Sequence, residues 1–242
     1  MAMSNRSLAR PGGARISALA GSRALRALIV SSFVATLSGA VAASELPISC
    51  GTLATHYGPY DYRVDTARLP IVEKHHFTPE MERLAHRGSA SQIEYTLRAF
   101  PNHHRALMSL MRLGEKTKSE RPGRLTITVE CFMLRAEHFA PEDPVVRMIS
   151  GVYYLKRQKP SLAIERLEIA QKLGSSDPNL LYNLGLAYLD LGDKPKALDF
   201  AHQALAAGFP LEGLKNRLKR AGAWREPTVS HGRPETPAPA AE

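Results

Sequence analysis

Asp143-Pro144 and Asp177-Pro178 stand 34 residues apart, and the chain that follows each of them repeats in step. Gly151 corresponds to Gly185, Tyr154 to Tyr188, Ala163 to Ala197 and Ala170 to Ala204. A fixed interval of this length describes one supersecondary unit stacked on itself, because a lone pair of helices leaves an apolar flank that only the next pair can cover. The conserved spacing also assigns roles within the unit. Glycine and alanine let two helices approach closely, and the tyrosines fill the space beside them. Proline suits a first helical turn, where its missing N–H is not needed, and aspartate just ahead of it caps the free N–H groups. Lys159-Pro160 and Lys194-Pro195 open the second helix of each unit in the same manner.

The stretch Leu181-Tyr-Asn-Leu-Gly-Leu-Ala-Tyr188, followed by Leu191-Gly192-Asp193, Ala197 and Ala204, resembles the tetratricopeptide repeat. That resemblance implies an all-α fold, a short helical solenoid in which the first helices of successive repeats line a concave groove. It also implies a protein or peptide partner, held in the groove as an extended segment or a helix. Motif alignment carries the groove positions onto Asn102, Arg105, Ser109 and Arg112, then Val145, Met148, Val152, Leu155 and Lys156, then Asn179, Tyr182, Asn183, Leu186, Leu189 and Asp190. An apolar floor with a few amides and cations suits a partly apolar segment. Chaperone-binding members of the family clamp a C-terminal carboxylate with asparagines at two of these places. Ser109 and Ile149 stand there in this chain, so that activity is not carried over.

The full repeats span 144–177 and 178–210. One step earlier the pattern is divergent, over 101–143: Ala136 lies 34 residues before Ala170, which places a helix over 124–139, and nine extra residues separate it from a first helix over 103–113. Gly114 to Gly123 is then a lengthened loop. Residues 44–100 are expected to form an N-terminal strap and capping helices, with a helix start at Thr78-Pro79-Glu80 and a short helix over 91–100. Cys50 to Pro70 shows turn residues and aromatics but no helical period. The stretch Tyr95 to Leu107 resembles one found in a group of bacterial repeat proteins, a likeness that implies no activity. Leu211, Leu214 and Leu218 recur at helical spacing, which predicts a capping helix over 211–224, and residues 225–242 have the composition of a disordered tail.

Residues 1–43 hold five arginines and no acid, then an apolar run over 27–37 and small residues at 39–43, the layout of a bacterial secretory signal peptide cleaved after Ala42 or Ala43. Export to the periplasm or beyond follows. With no second long apolar stretch, the mature protein is not expected to span a membrane. Removing this segment leaves 27 basic and 23 acidic residues, a net charge of +4, too mild to argue for nucleic acid. Cys50 and Cys131 are the chain's two cysteines, and an oxidising compartment permits a disulfide between them, although their spacing alone leaves two free thiols open.

The adjacent pairs His75-His76 and His103-His104, with His86 and His138, motivate a second reading, a metal-binding or redox accessory protein. Against it, the chain lacks HExxH, CxxC and CxxCH, and neighbouring histidines on one helix point about 100° apart. No nucleophile and base at a recognisable spacing, no phosphate loop and no paired-carboxylate motif points to an enzyme or to a cofactor. The reading that the residues favour is a protein-binding scaffold in the cell envelope.

Overall fold

The computed structural model describes residues 46–210 and 212–227; the segment read as a signal peptide, Leu211 and the tail from residue 228 onward lie outside the described residues. Among the described residues the chain is helical, with no strand. After a short 3-10 turn at Ile48–Cys50 come α1 (Leu69–His76), α2 (Pro79–Glu82), α3 (Ser89–Ala99), α4 (His104–Thr117) and α5 (Val129–Phe139). The repeat region follows as α6 (Pro144–Lys156), α7 (Pro160–Lys172), α8 (Pro178–Leu191) and α9 (Lys194–Ala206), then α10 (Glu212–Arg220). α1 and α2 both pack on α3, the helices from α3 onward pack in chain order, and α4, α6, α8 and α10 also neighbour one another in succession, so the first helices form one layer of the stack. This is a short tetratricopeptide-repeat-like solenoid.

The caps explain where the repeat helices begin. Asp143 accepts the N–H groups of Val145 and Val146 at 3.0 and 3.2 Å, and Asp177 accepts that of Asn179 at 2.8 Å. Asp193 serves α9 by accepting from Lys196 at 3.1 Å, one residue before the Lys-Pro pair. Gly192 ends α8 in a left-handed conformation (φ 92°), which favours a residue without a Cβ.

Between the helices, the small residues set the approach. A Cβ on Gly151 would lie 2.5 Å from Leu167 Cγ and 3.3 Å from the carbonyl oxygen of Ala163. Gly185 meets the carbonyl oxygen of Ala197 at the same 3.3 Å. The place of Leu167 in the next repeat is held by Ala201, and there the space is filled by Leu214 of α10, 2.5 Å from a Cβ on Gly185. The terminal helix thus supplies the side chain that the last repeat omits. Leu214 and Leu218 are fully buried, and burial of each contributes roughly 1.5–3 kcal/mol to holding α10 on the stack.

The N-terminal half departs from several expectations. Helix α1 falls at the end of a segment read as strap followed by unassigned residues; Val72 is buried against Ala99 and Phe100. The helix start at Pro79 yields one turn only, α2. Helix α4 continues to Thr117, so the lengthened loop begins at Lys118, and α5 starts at Val129 rather than 124 because Thr128 accepts the N–H of Cys131 at 3.1 Å. Arg124 and Leu125 instead belong to a 3-10 turn and its end. In the repeat alignment Met108 stands where Gly151 stands one unit later, yet it is exposed, so α4 and α5 do not nest as α6 and α7 do.

Gly151→Val should lower unfolding stability by about 1–3 kcal/mol, since the added carbons meet Leu167 and a backbone oxygen. Urea denaturation followed by circular dichroism, with the exposed Lys172→Ala as control, measures it; equal midpoints for both variants would contradict the close approach.

Candidate functional site

The first-helix layer carries the positions aligned to the groove, and the structure divides them into two groups. On α6, Val145, Met148, Val152 and Leu155 are half-buried, each packed by one side against the core with the other side uncovered. On α8, Leu186 and Leu189 do the same. These six form an apolar row across two adjacent helices. Tyr182 joins it, but its ring lies 4.8 Å from that of Phe209, and a Cβ on Gly213 would be 2.5 Å from its hydroxyl, so the α10 end partly covers it. Asn183 is buried and its amide donates to the backbone and side-chain oxygens of Asn179 at 2.8 and 2.9 Å; that donor is already used within α8. Beyond Leu189 the row ends in a cleft of about 480 Å³ lined by Gln158, Pro160, Asp190 and Arg217, with Asp190 and Arg217 ion-paired.

On α4 the same face is covered by the chain itself. Arg105 pairs with Glu82 and, at 3.1 Å, with Glu73, while its guanidinium lies 5.4 Å from the centre of the Phe77 ring. Ser109 is fully buried and donates to the carbonyl oxygen of Glu82 at 3.1 Å. Asn102 is fully buried, donating to Asp61 at 2.8 Å and accepting from the N–H of Tyr62 at 2.9 Å. Arg112 keeps an exposed guanidinium, which donates to Ser109 Oγ at 2.9 Å and forms no ion pair among the described residues. Lys156 is paired with Glu115 at 3.1 Å. Of the two arginines of α4 aligned to the groove, both exposed, Arg112 alone has no acidic partner among the described residues. The covering acids Asp61, Glu73 and Glu82 were not singled out in the sequence, because nothing local marks a carboxylate whose partner lies 23–41 residues away.

Beneath this cover lies a buried polar network. Asp143, 1% exposed, accepts from His104 Nε2 at 2.8 Å, caps α6 and lies 3.5 Å from Arg63. Burial alone would raise its carboxyl, but the bonds from His104 and the α6 amide hold it below the usual carboxylate range. Asp61 is held well below that range, first by the hydrogen bonds from Arg63 and also by Asn102. Glu82 is lowered by Arg105. His103 is fully buried at the start of α4. Its Nδ1 accepts the N–H of Ala106 at 3.2 Å, so Nε2 carries the proton and faces Glu73 at 3.1 Å. Burial, and then the positive charge of Arg105, push the imidazole down to about 3.

The remaining histidines are dispersed. His76 stacks on Tyr95 with 3.8 Å between ring centres and bonds Gln92 at 2.7 Å, His86 accepts the N–H of Gly88, and His75 and His138 face solvent. Among the described residues no three histidine, cysteine or acidic side chains gather as a metal site. Cys50 and Cys131 are joined by a disulfide, with Cα atoms 4.9 Å apart, and therefore offer no thiolate. Nothing in this arrangement favours the metal or redox reading.

The His103 geometry sets a pH dependence with a definite sign. In the unfolded chain the imidazole titrates near 6.5, whereas in the fold it stays neutral down to about 3, so between those values the unfolded state holds more protons. Stability is complete above about pH 6.5 and falls as the pH drops, by about 2 kcal/mol at pH 5 from this group. Urea unfolding at pH 7.5 and 5.0 tests this. His103→Asn, which retains a capping side chain, should flatten the dependence; an unchanged slope would contradict the buried neutral imidazole.

No helix among the described residues is long and apolar enough to cross a membrane. Neither curated proteins nor solved structures give a match to the chain. Residues 150–210, from the middle of α6 to the end of the second repeat, match the tetratricopeptide repeat family, whose repeats serve as scaffolds for protein interaction and are typically not catalytic.

Proposed function

We propose that this protein is a binding scaffold of the bacterial cell envelope that holds a partly apolar protein segment, extended or helical, on the open face of α6 and α8. The observation that carries this reading is the apolar row Val145, Met148, Val152, Leu155, Leu186 and Leu189, half-uncovered on two neighbouring helices of a repeat type used for protein binding. A row of this kind is what a partner's apolar side chains need, and the edge residues Arg112, Asp190 and Arg217 supply orientation and specificity. Asn179 is half-exposed beside it. The site is protein-directed rather than nucleic-acid-directed, because its floor is apolar and most neighbouring cations are already paired with acids.

Location in the envelope is supported by the arginine-led apolar segment of residues 1–43 and by the pairing of the chain's two cysteines, which suits an oxidising compartment. On this reading the mature chain acts after cleavage near Ala42 and carries out no chemistry of its own.

A photo-crosslinking residue at Met148 or Leu186 should capture a discrete partner in cells, whereas one at Glu165, an exposed residue of α7, should not. Leu189→Asp should remove the crosslink at Leu186 with the circular dichroism spectrum unchanged, because an aspartate in the row faces apolar atoms without a counter-charge. Equal capture at Glu165, or capture indifferent to Leu189→Asp, would reject this face as the site.

A further inference from the structure

We propose that residues 57–84 are a cover seated on the α4 part of the first-helix layer, and that the Cys50–Cys131 disulfide controls whether it opens. The seat is made of the positions that in α6 and α8 are left open: Asn102 just ahead of α4, and Arg105 and Ser109 on it, are taken up by Asp61, Glu73 and Glu82 of the cover. The ionic contacts of Arg105 with Glu73 and Glu82 are partly in reach of water, and within residues 57–84 only Val72 and Phe77 are buried. The seams between α6, α7, α8 and α9 are instead closed by fully buried Ala163, Leu167, Leu180, Leu184 and Ala197. Water can replace the ionic contacts, and two buried apolar side chains hold the cover less firmly than the five that close the seams of the repeats, so the cover belongs to the low-stability end of the molecule.

The disulfide acts on that end alone. It closes a loop from residue 50 to residue 131, which contains the cover, α3 and α4 and none of α6 to α10. Cross-linking restricts the unfolded conformations of the residues inside the loop, and in a stack whose units contact only their neighbours the effect stays near them. A second feature biases the same segment. Arg135 on α5 is 1% exposed and, among the described residues, has no carboxylate partner; one of its nitrogens donates to the carbonyl oxygens of Cys50 and Thr52, while Nε and Nη2 are buried and meet no acceptor among those residues. Burial lowers its affinity for the proton, which shows that the charged form would gain from hydration. Residues 50–52 therefore cover a cation that favours water, and the disulfide keeps them there.

Opening is a thiol–disulfide exchange. A dithiol reductant gives two electrons and two protons, its own sulfurs join, and Cys50 and Cys131 become thiols. With the cover displaced, Arg105 and Arg112 lie free beside the row on α6, and the face extends from two helices to three, its new third suited to an acidic segment such as the cover itself. This consequence rests on the reading of the layer as a partner site; the opening does not.

Hydrogen–deuterium exchange of the full chain, read by mass spectrometry before and after dithiothreitol, tests the proposal with no partner present. Once thiol titration shows both cysteines reduced, peptides within residues 60–84 and the first two turns of α4 should exchange about ten-fold faster or more, with α6 to α9 unchanged. Arg105→Glu, which opposes Glu73 and Glu82, should speed exchange in 69–84 while the disulfide is intact. Unchanged protection of 60–84 after complete reduction would overturn the proposal, as would loss of protection spread through α6 to α9, which would make the bond a staple of the whole fold. A failed capture at Met148 or Leu186 would leave this result standing, so the two readings fall separately.

Discussion

The approach of α6 to α7 at Gly151, and of α8 to α9 at Gly185, is the constraint from which the rest of the structure follows. In both places the backbone oxygen of an alanine on the second helix sits 3.3 Å from where a side chain would begin. Helices this close leave no room for water or for a larger residue, and the flanks they cannot cover have to meet the next pair. The first helices are thereby lined up side by side, and a row of half-covered apolar residues is the geometric result rather than a separate addition. At the C-terminal end Leu214 replaces the side chain that Ala201 lacks, which shows how the stack is stopped without changing its spacing.

At the other end the stack is stopped differently. Instead of another nested pair, the chain lays α1, α2 and the preceding loop over α3 and α4 and fixes them through the buried Val72 and Phe77 and through polar groups. Asp143 links the two regimes: the same carboxylate caps α6, accepts from His104 and approaches Arg63 of the loop. The first helix of the regular repeats therefore starts on a group held chiefly by His104 of α4 and also approached by Arg63 of the cover, so the polar end and the apolar stack are coupled through one side chain.

Much of this was legible in the chain. The 34-residue step, the Asp-Pro helix starts and the small-residue positions define α6 to α9, because each rests on a local rule that repeats. The same alignment puts Met148, Val152, Leu155, Leu186 and Leu189 on one side of their helices, and each is half-buried. Helix α1 escaped notice because eight residues with Leu69, Ile71 and Val72 together at one end show no period. The start of α5 was misplaced by extrapolating the repeat through Pro122-Gly123, where the backbone breaks and Thr128 takes over as cap. Arg105, Asn102 and Ser109 were read as groove residues by the same alignment, and their occupation by Asp61, Glu73 and Glu82 is a long-range event with no local signature.

The close approach is tested most directly by a double-mutant cycle between positions 151 and 167. Gly151→Ala alone places a methyl group against Leu167, and Leu167→Ala alone leaves a cavity that costs roughly 2–5 kcal/mol. The account predicts that the two changes together are less harmful than their sum by at least about 1 kcal/mol, because the new methyl occupies part of the vacated space. Additivity to within about 0.5 kcal/mol, measured by urea unfolding, would mean that the two side chains do not share that space and that the helices do not nest there.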